Sequence, residues 1–380
     1  MTATMTVGSV AAFSKGSGLA KSDLTTDGAH PCIHYGELFT HYGAVIDIVR
    51  SRTNQDLAVK SEVGDVLMPT SDVTPSGLAK ASAILCSGIG LGGDVLVIRP
   101  DRAKADPRFL AYAIRHDANQ VLGLVRGSTV YHIYATDMRH FELPSLPIAE
   151  QARVADALKD ADDLISALER GIVKKLDIKQ GICQQLLTGR TRLGRFSKTW
   201  SEHLLGDVAH IKTGSRNNQD KKVGGQYPFF VRSATVERID SYSYDCEAIL
   251  VPGEGGIGAI FHYINGKFEV HQRVYKISEF VSEVSGRFVY YYMRHHFGSH
   301  AMENSVKATV DSLRLPTFRN FQLRLPDIEE QRAIVSVLDD VEAEVDALRI
   351  RLAKARSIKT GMMQELLTGR TRLPLGEAVA

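Results

Sequence analysis

The 380-residue chain has few cysteines, no long apolar run and almost no net charge, and each shortage excludes something. Its four cysteines, Cys32, Cys86, Cys183 and Cys246, are scattered, with no Cys-x-x-Cys pair. That excludes a disulfide scaffold and a thiolate zinc site, and it suits a reducing cytosol. The most apolar region, Ala83 to Ile98, is broken by Gly88, Gly90, Gly92, Gly93 and Asp94, so it falls short of the roughly 20 apolar residues of a membrane helix. Met1 to Gly8 has neither a basic start nor an apolar run, and the expectation is a cytoplasmic protein without a signal peptide or membrane partner. The net charge of +2, from 46 basic and 44 acidic side chains, rules out a histone-like protein or an acidic tail but leaves room for a local basic cleft.

Catalytic signatures are missing too. There is no Gly-x-Ser-x-Gly, no Walker-type loop and no Asn-Pro-Pro-Tyr of an amino-methyltransferase. Pro100-Asp101 and Pro326-Asp327 lack the Glu-x-Lys that follows in nucleases, and His30, His34, His41 and His295-His296 lack metal-ligand spacing. Gly253-Glu254-Gly255-Gly256-Ile257-Gly258 and Gly88-Ile89-Gly90-Leu91-Gly92-Gly93 fit Gly-x-Gly-x-x-Gly. A dinucleotide loop must be followed by a helix, and Ala259 to Tyr263 reads as a strand, so these are expected to be hairpin or bulge glycines. The expectation is a chain with no catalytic centre, metal or cofactor of its own.

What the chain does have is length for two or three domains, an ordinary globular composition (44% hydrophobic, 24% charged) and an internal duplication. Residues 151–193 align with 331–373 at a constant offset of 180, and Leu186-Leu187-Thr188-Gly189-Arg190-Thr191-Arg192-Leu193 recurs without change at Leu366 to Leu373. Scattered leucines arise by chance in amphipathic helices; an identical block of this length does not. Phe109, Tyr112, Arg115 and His116 match Phe288, Tyr291, Arg294 and His295, and Gly8 to Ser17 matches Gly206 to Ser215. The tyrosines read as core and the basic residues beside them as exposed. The chain is an α+β protein that reads as variable globular unit, helix, variable globular unit, helix: one scaffold carrying two specificities.

Each repeated helix is expected to run about 40 residues, or roughly 60 Å. Val154, Leu158, Ala161, Ile165, Leu168 and Ile172 alternate at spacings of four and three, as do Ile334, Leu338, Val341, Val345, Leu348, Leu352 and Ala355. This is a coiled-coil seam that needs a partner helix. Between Asp327 and Asp346 the second helix is acidic, with Arg332 the lone base, whereas Arg349, Arg351, Lys354, Arg356 and Lys359 follow without an acid. The first helix is likewise acidic early (Glu150, Asp156, Asp160, Asp162, Asp163) and basic late (Arg170, Lys174, Lys175, Lys179). Antiparallel pairing sets each acidic half against a basic half; the same gradients also suit the dipole of a lone helix. The antiparallel pair is expected, with the globular units at its two ends, related by a pseudo-twofold axis. Gly189 and Gly369 stand where helix-ending glycines belong. The arginines after them either complement the helix end or contact a partner subunit or phosphate.

Two heads on a spacer match the layout that reads two separated DNA half-sites, and because the heads differ, a bipartite, non-palindromic site is expected. The polar loop Lys212, Ser215, Arg216, Asn217, Asn218, Gln219, Lys221 and Lys222 mixes base-pairing side chains with phosphate-binding lysines. In the first copy the candidates are Lys15, Ser17 and Lys21, with Arg50, Arg52, Asn54 and Gln55. Before each long helix, Arg126 to His132 and Glu303 to Thr309, which contains Lys307, combine hydroxyl residues with bases and suit either phosphate binding or turns.

The whole pattern resembles the specificity (S) subunit of Type I restriction–modification systems. The resemblance rests on Leu325-Pro326-Asp327-Ile328-Glu329-Glu330-Gln331 opening a helix, the parallel Leu146-Pro147-Ile148-Ala149-Glu150-Gln151, the paired Leu-Leu-Thr-Gly-Arg ends, Ile33-His34-Tyr35-Gly36-Glu37-Leu38 and Gly64-Asp65-Val66-Leu67. Ala149 departs from the acidic pattern of the second copy, and that junction is one residue shorter. The resemblance implies target recognition domains at 1–147 and 194–326, conserved spacer helices at 148–193 and 327–373, and a tail at 374–380. It further implies double-stranded DNA as ligand, two methyltransferase (M) subunits that bring S-adenosylmethionine and methylate adenine, and translocating restriction (R) subunits. A coiled-coil scaffold with protein- or carbohydrate-binding heads is the alternative, and a self-sufficient enzyme a third reading.

Overall fold

A computed structural model describes residues 3–194, 196–304 and 312–373. The chain forms two compact units: residues up to Glu169 together with those from Ile350 onward, and Arg170 to Arg349. Each unit therefore holds one globular domain and half of each long helix. The segment containing Lys307, like the tail from Pro374, lies outside the described residues.

In the first unit, a five-stranded sheet runs in the order Ala11–Lys15, Val95–Pro100, Val66–Pro69, Ser82–Ile84, Val45–Ile46. A second sheet of four short strands includes His30–Ile33 and Ser51–Thr53. Val66–Pro69 is buried along its whole length, as expected of a central strand packed on both faces. In the second unit, one six-stranded sheet runs His210–Thr213, Val274–Ser278, Tyr244–Pro252, His262–Val270, Tyr227–Phe230, Glu237–Ile239. Helices Pro107–His116 and Gly286–Glu303 supply the buried aromatic faces of the two domains.

The duplication extends through domains whose sequences have diverged. Thr4–Thr6 pairs with Glu142–Pro144 as Ser201–Leu204 pairs with Gln322–Leu325, both antiparallel. Gly16 and Gly214, aligned in the sequence, share a packing reason. A Cβ on either would stand 2.0 Å from a backbone oxygen, of Gly92 or of Val270, so only glycine fits.

The long helices span Ile148–Leu186 and Ile328–Leu366. They pair antiparallel within each unit. In the first, Glu150 meets Arg372 at 2.8 Å, Asp162 meets Lys359, and Glu169 meets Arg356 at 2.6 Å. In the second, Lys175 meets Glu344, Lys179 meets Glu342 at 2.8 Å, and Arg192 meets Glu330. Partner numbers fall as the first helix advances, the charge complementarity read from the sequence. Val154, Leu158, Leu168, Ile334, Leu338 and Val345 are buried, and Ile165, Ile172, Leu348 and Leu352 are half-buried. Both helices end on glycines in the left-handed region, Gly189 at φ 70° and Gly369 at φ 68°.

At each helix start, a fully buried glutamine ties the helix to its domain. Gln151 accepts from Asp106 N at 3.0 Å and donates to the carbonyls of Lys104 and Leu146. Gln331 accepts from Ser285 N at 2.9 Å and donates to those of Glu283 and Pro326. The glutamate before each glutamine receives the arginine that follows the opposing helix end, Arg372 on Glu150 and Arg192 on Glu330. Those two arginines are thus bonded within their own units.

Tyr112 and Tyr291 are buried as expected, but each also fastens its domain to a long helix through its hydroxyl. Tyr112 Oη donates to Asp162 at 2.8 Å, and Tyr291 Oη lies 2.5 Å from Asp339 and 2.6 Å from Glu342. The expectation that the neighbouring basic residues are exposed fails for Arg115. Its guanidinium is enclosed, donating to the carbonyls of Ala81, Tyr42 and Gly43, and burial lowers its pKa to about 10. Arg294 is exposed, though it bonds Tyr290 and Glu342.

Candidate nucleic-acid interface

The loop of the second domain begins on strand His210–Thr213 and ends before Tyr227–Phe230. Ser215, Asn218 and Gln219 are exposed, and Lys212 is exposed with its Nζ 5.2 Å from the Tyr244 ring centre. The rest of the set is bonded to other residues of the domain, although Asn217, Lys221 and Lys222 are themselves exposed. Arg216 faces the fully buried Glu269 carboxylate at 3.4 Å and Ser241 Oγ at 3.3 Å. Asn217 accepts from Gln272, Lys221 pairs with Glu237 at 3.0 Å, and Lys222 pairs with Asp240. Such pairs stiffen a loop and orient its free members, and they withdraw part of its charge from an incoming phosphate.

In the first domain Lys15 is exposed and pairs with Asp94 at 3.3 Å, while Ser17 Oγ is buried with no hydrogen-bond partner among the described residues. Lys21, Arg50 and Gln55 are exposed. Arg52 is half-buried and donates from Nε and Nη2 to the backbone oxygens of Gly28 and Ala29. Arg238 does the same to Gly225 and Gln226 in the second domain, so this arginine is a structural feature of the fold. Asn54 accepts from Ala29 N at 3.2 Å.

A cleft opens beside the same node of the fold in each domain, although the residues lining one are not the counterparts of those lining the other. Pro69 pairs with Val95 as Pro252 pairs with Val274. The next residue donates its N–H back across the turn, Thr70 to Asp94 O and Gly253 to Arg273 O, both at 2.9 Å. Its carbonyl then accepts from Ile133 N at 3.0 Å or Leu313 N at 2.8 Å. Beside this node lies a cleft of about 640 Å³ in the first domain, lined by Lys15, Asp94, His132 and Tyr134. The second domain has one of about 390 Å³, lined by Asn218, Arg232, Glu254 and His271. His132 and Tyr134 stack at 6.2 Å, and Tyr134 is half-exposed. In the second cleft Glu254 bridges Arg232 at 3.2 Å and Arg273 at 2.9 Å. Burial, then the nearby arginines, lowers the pKa of His271, which keeps its ring neutral.

Only Lys15 and Asn218 of the sequence candidates line these clefts; Arg50, Arg52, Asn54 and Gln55 do not. Arg232, which follows strand Tyr227–Phe230, and Glu254, on the hairpin loop, escaped sequence reasoning, as did His271 and Arg273, whose turn shares backbone bonds but no residue with Gly92-Gly93-Asp94. The glycine segment 253–258 joins the antiparallel strands Tyr244–Pro252 and His262–Val270, as a hairpin loop. Among the described residues no group of His, Cys, Asp or Glu could hold a metal ion, and no helix is long and apolar enough to cross a membrane.

The structure is a duplicated α+β fold, each unit carrying an antiparallel pair of helix halves. The chain belongs to the family of the Type I restriction modification DNA specificity domain, which matches it twice, over residues 3–177 and 197–354. It is 29% identical over 175 residues to the Type I restriction enzyme EcoDI specificity subunit of Escherichia coli, a match covering 46% of this chain and 38% of that protein. It is 24% identical to the putative type I restriction enzyme MjaX specificity subunit of Methanocaldococcus jannaschii, covering 74% and 72%. In fold it matches the crystal structure of a Type I restriction–modification S subunit from M. genitalium, with a TM-score of 0.71 and 14% identity over 96% of each chain.

Proposed function

We propose that the chain is the non-catalytic DNA-recognition subunit of a Type I restriction–modification complex, reading an asymmetric bipartite site on double-stranded DNA. The recognition domains are residues 1–147 and 194–326, and the helical segments 148–193 and 327–373 set the gap between half-sites. In this reading the chain directs two methyltransferase subunits, which bring S-adenosylmethionine and methylate adenine, and restriction subunits, which translocate and cleave, all in the cytoplasm. It binds no cofactor itself. The observation that carries the reading is one fold used twice with a different side chain at a shared node, Asp94 in the first domain where Arg273 stands in the second.

The exposed Lys212, Ser215, Asn218 and Gln219, with Lys15, Lys21 and Arg50, are the proposed DNA contacts of the loops. The test is salt-dependent binding of the assembled complex to duplex DNA, joined to mapping of methylated adenines in a host genome with and without this chain. Affinity should fall by about 0.9 log units per log unit of salt for each phosphate contacted, and the mapped adenines should lie in a two-part motif. Salt-independent binding, or a methylation pattern indifferent to this chain, would favour a scaffold with protein- or carbohydrate-binding heads.

A further inference from the structure

The turn before strand Val274–Ser278 in the second domain and that before Val95–Pro100 in the first occupy the same node of the fold, yet their charge is reversed. Asp94 in the first pairs with Lys15; Arg273 in the second pairs with Glu254. Glu254 sits on the hairpin loop that resembles a nucleotide-binding motif but has no helix after it. Each of its carboxylate oxygens accepts one guanidinium, Oε2 from Arg232 and Oε1 from Arg273. A carboxylate has about four acceptor positions, so half remain for a ligand entering the cleft. The two arginine side chains are 51% and 60% exposed, against 22% for Glu254. Glu254 is thus the recessed member of the set and the two arginines its solvated flanks.

A negatively charged acceptor flanked by cationic donors matches one base pair in the major groove. Cytosine presents an N4 amino donor and guanine the adjacent acceptors O6 and N7, which one guanidinium can span, whereas in an A·T pair the N6 donor stands between the acceptors N7 and O4, so an arginine there makes a single bond. We propose, resting on the DNA-recognition reading above, that this cleft reads a G·C pair in the half-site of the second domain. Glu254 accepts from cytosine N4, and Arg232 or Arg273 donates to guanine. The first domain, with Asp94 in place of Arg273 and Lys15 as its partner, reads a different pair there, so the specificity of the two half-sites diverges at one shared position.

The test uses the full chain assembled with its methyltransferase subunits, with host genomic DNA as probe. Methylated adenines are mapped for the wild type, Glu254→Ala and the near-isosteric Glu254→Gln. Both arginines are solvated, so the substitutions leave no buried charge, and Glu254→Gln gives the same readout should Glu254→Ala not assemble. The expected result is loss of discrimination by roughly ten- to a hundred-fold at one G·C position of one half-site, with the other half-site unchanged. An unchanged motif, loss confined to an A·T position, or equal loss in both half-sites would overturn the proposal. A wild-type complex that shows no motif at all would overturn the DNA-recognition reading itself, so the two failures are distinguishable.

Discussion

Lys179 donates to Glu342 at 2.8 Å across the two long helices, and Glu342 also takes the Tyr291 hydroxyl at 2.6 Å. Burial alone would raise the Glu342 pKa, but the hydrogen bonds from Lys179 and Tyr291 hold it at about 2 against an ordinary 4.5. A carboxylate with a depressed folded-state pKa stabilises the fold above its unfolded value and loses that contribution as pH falls through the folded one. On acid titration followed by circular dichroism, the wild type should lose on the order of 3 kcal/mol from this residue between about pH 4.5 and 2. Glu342→Gln should already be weakened at neutral pH and lack this component of the acid transition.

Replacing Gln331 by leucine removes an acceptor from Ser285 N and a donor from two carbonyls at a fully buried position. The expected cost is about 3 kcal/mol, because buried backbone groups left unpaired retain their full desolvation penalty. Gln151→Leu should cost a similar amount. Chemical denaturation of each variant measures both.

Arg192→Ala should destabilise by about 3–5 kcal/mol, since the Glu330 side chain is only 1% exposed and would be left as an uncompensated buried charge. Adding Glu330→Gln should recover most of that loss in a double-mutant cycle. Arg372→Ala should cost less, because Arg372 is 55% exposed.

Arg216 and Asn218 lie two residues apart and should separate in experiment. Arg216→Ala strips the buried Glu269 of its arginine, so it should lower the melting temperature as well as weaken DNA binding. Asn218→Ala should leave the melting temperature unchanged and affect only one half-site. The triple replacement of Arg216, Asn217 and Asn218 by alanine should weaken that half-site and spare assembly with methyltransferase subunits, as read by co-purification and methylation mapping.

The helices were the most legible part of the chain. Val154, Leu158, Ile334 and Leu338 belong to heptad seams that call for a partner helix, and the like charge gradients of the two helices, acidic early and basic late, favour antiparallel pairing. Gly189 and Gly369 were equally plain, since the left-handed backbone they adopt excludes most other residues. The recognition loops were half legible. Their polarity marked them as surface, but Arg216, Asn217, Lys221 and Lys222 proved bonded within the domain. Arg115 shows the same limit: a basic residue after a core tyrosine on a helix looks exposed, and three backbone carbonyls enclose it instead.

Periodicity, duplication and charge gradient are properties of neighbouring or repeating residues, so the amino-acid order alone determined two copies of one fold, an antiparallel helix pair and its capped ends. Strand register decided the rest. It brings Glu254 between Arg232 and Arg273, sets Asp94 and Arg273 at equivalent nodes, and turns Arg52 and Arg238 inward to backbone carbonyls. These partners are far apart in the chain, and hydrogen bonds between strands place them without demanding any particular side chain.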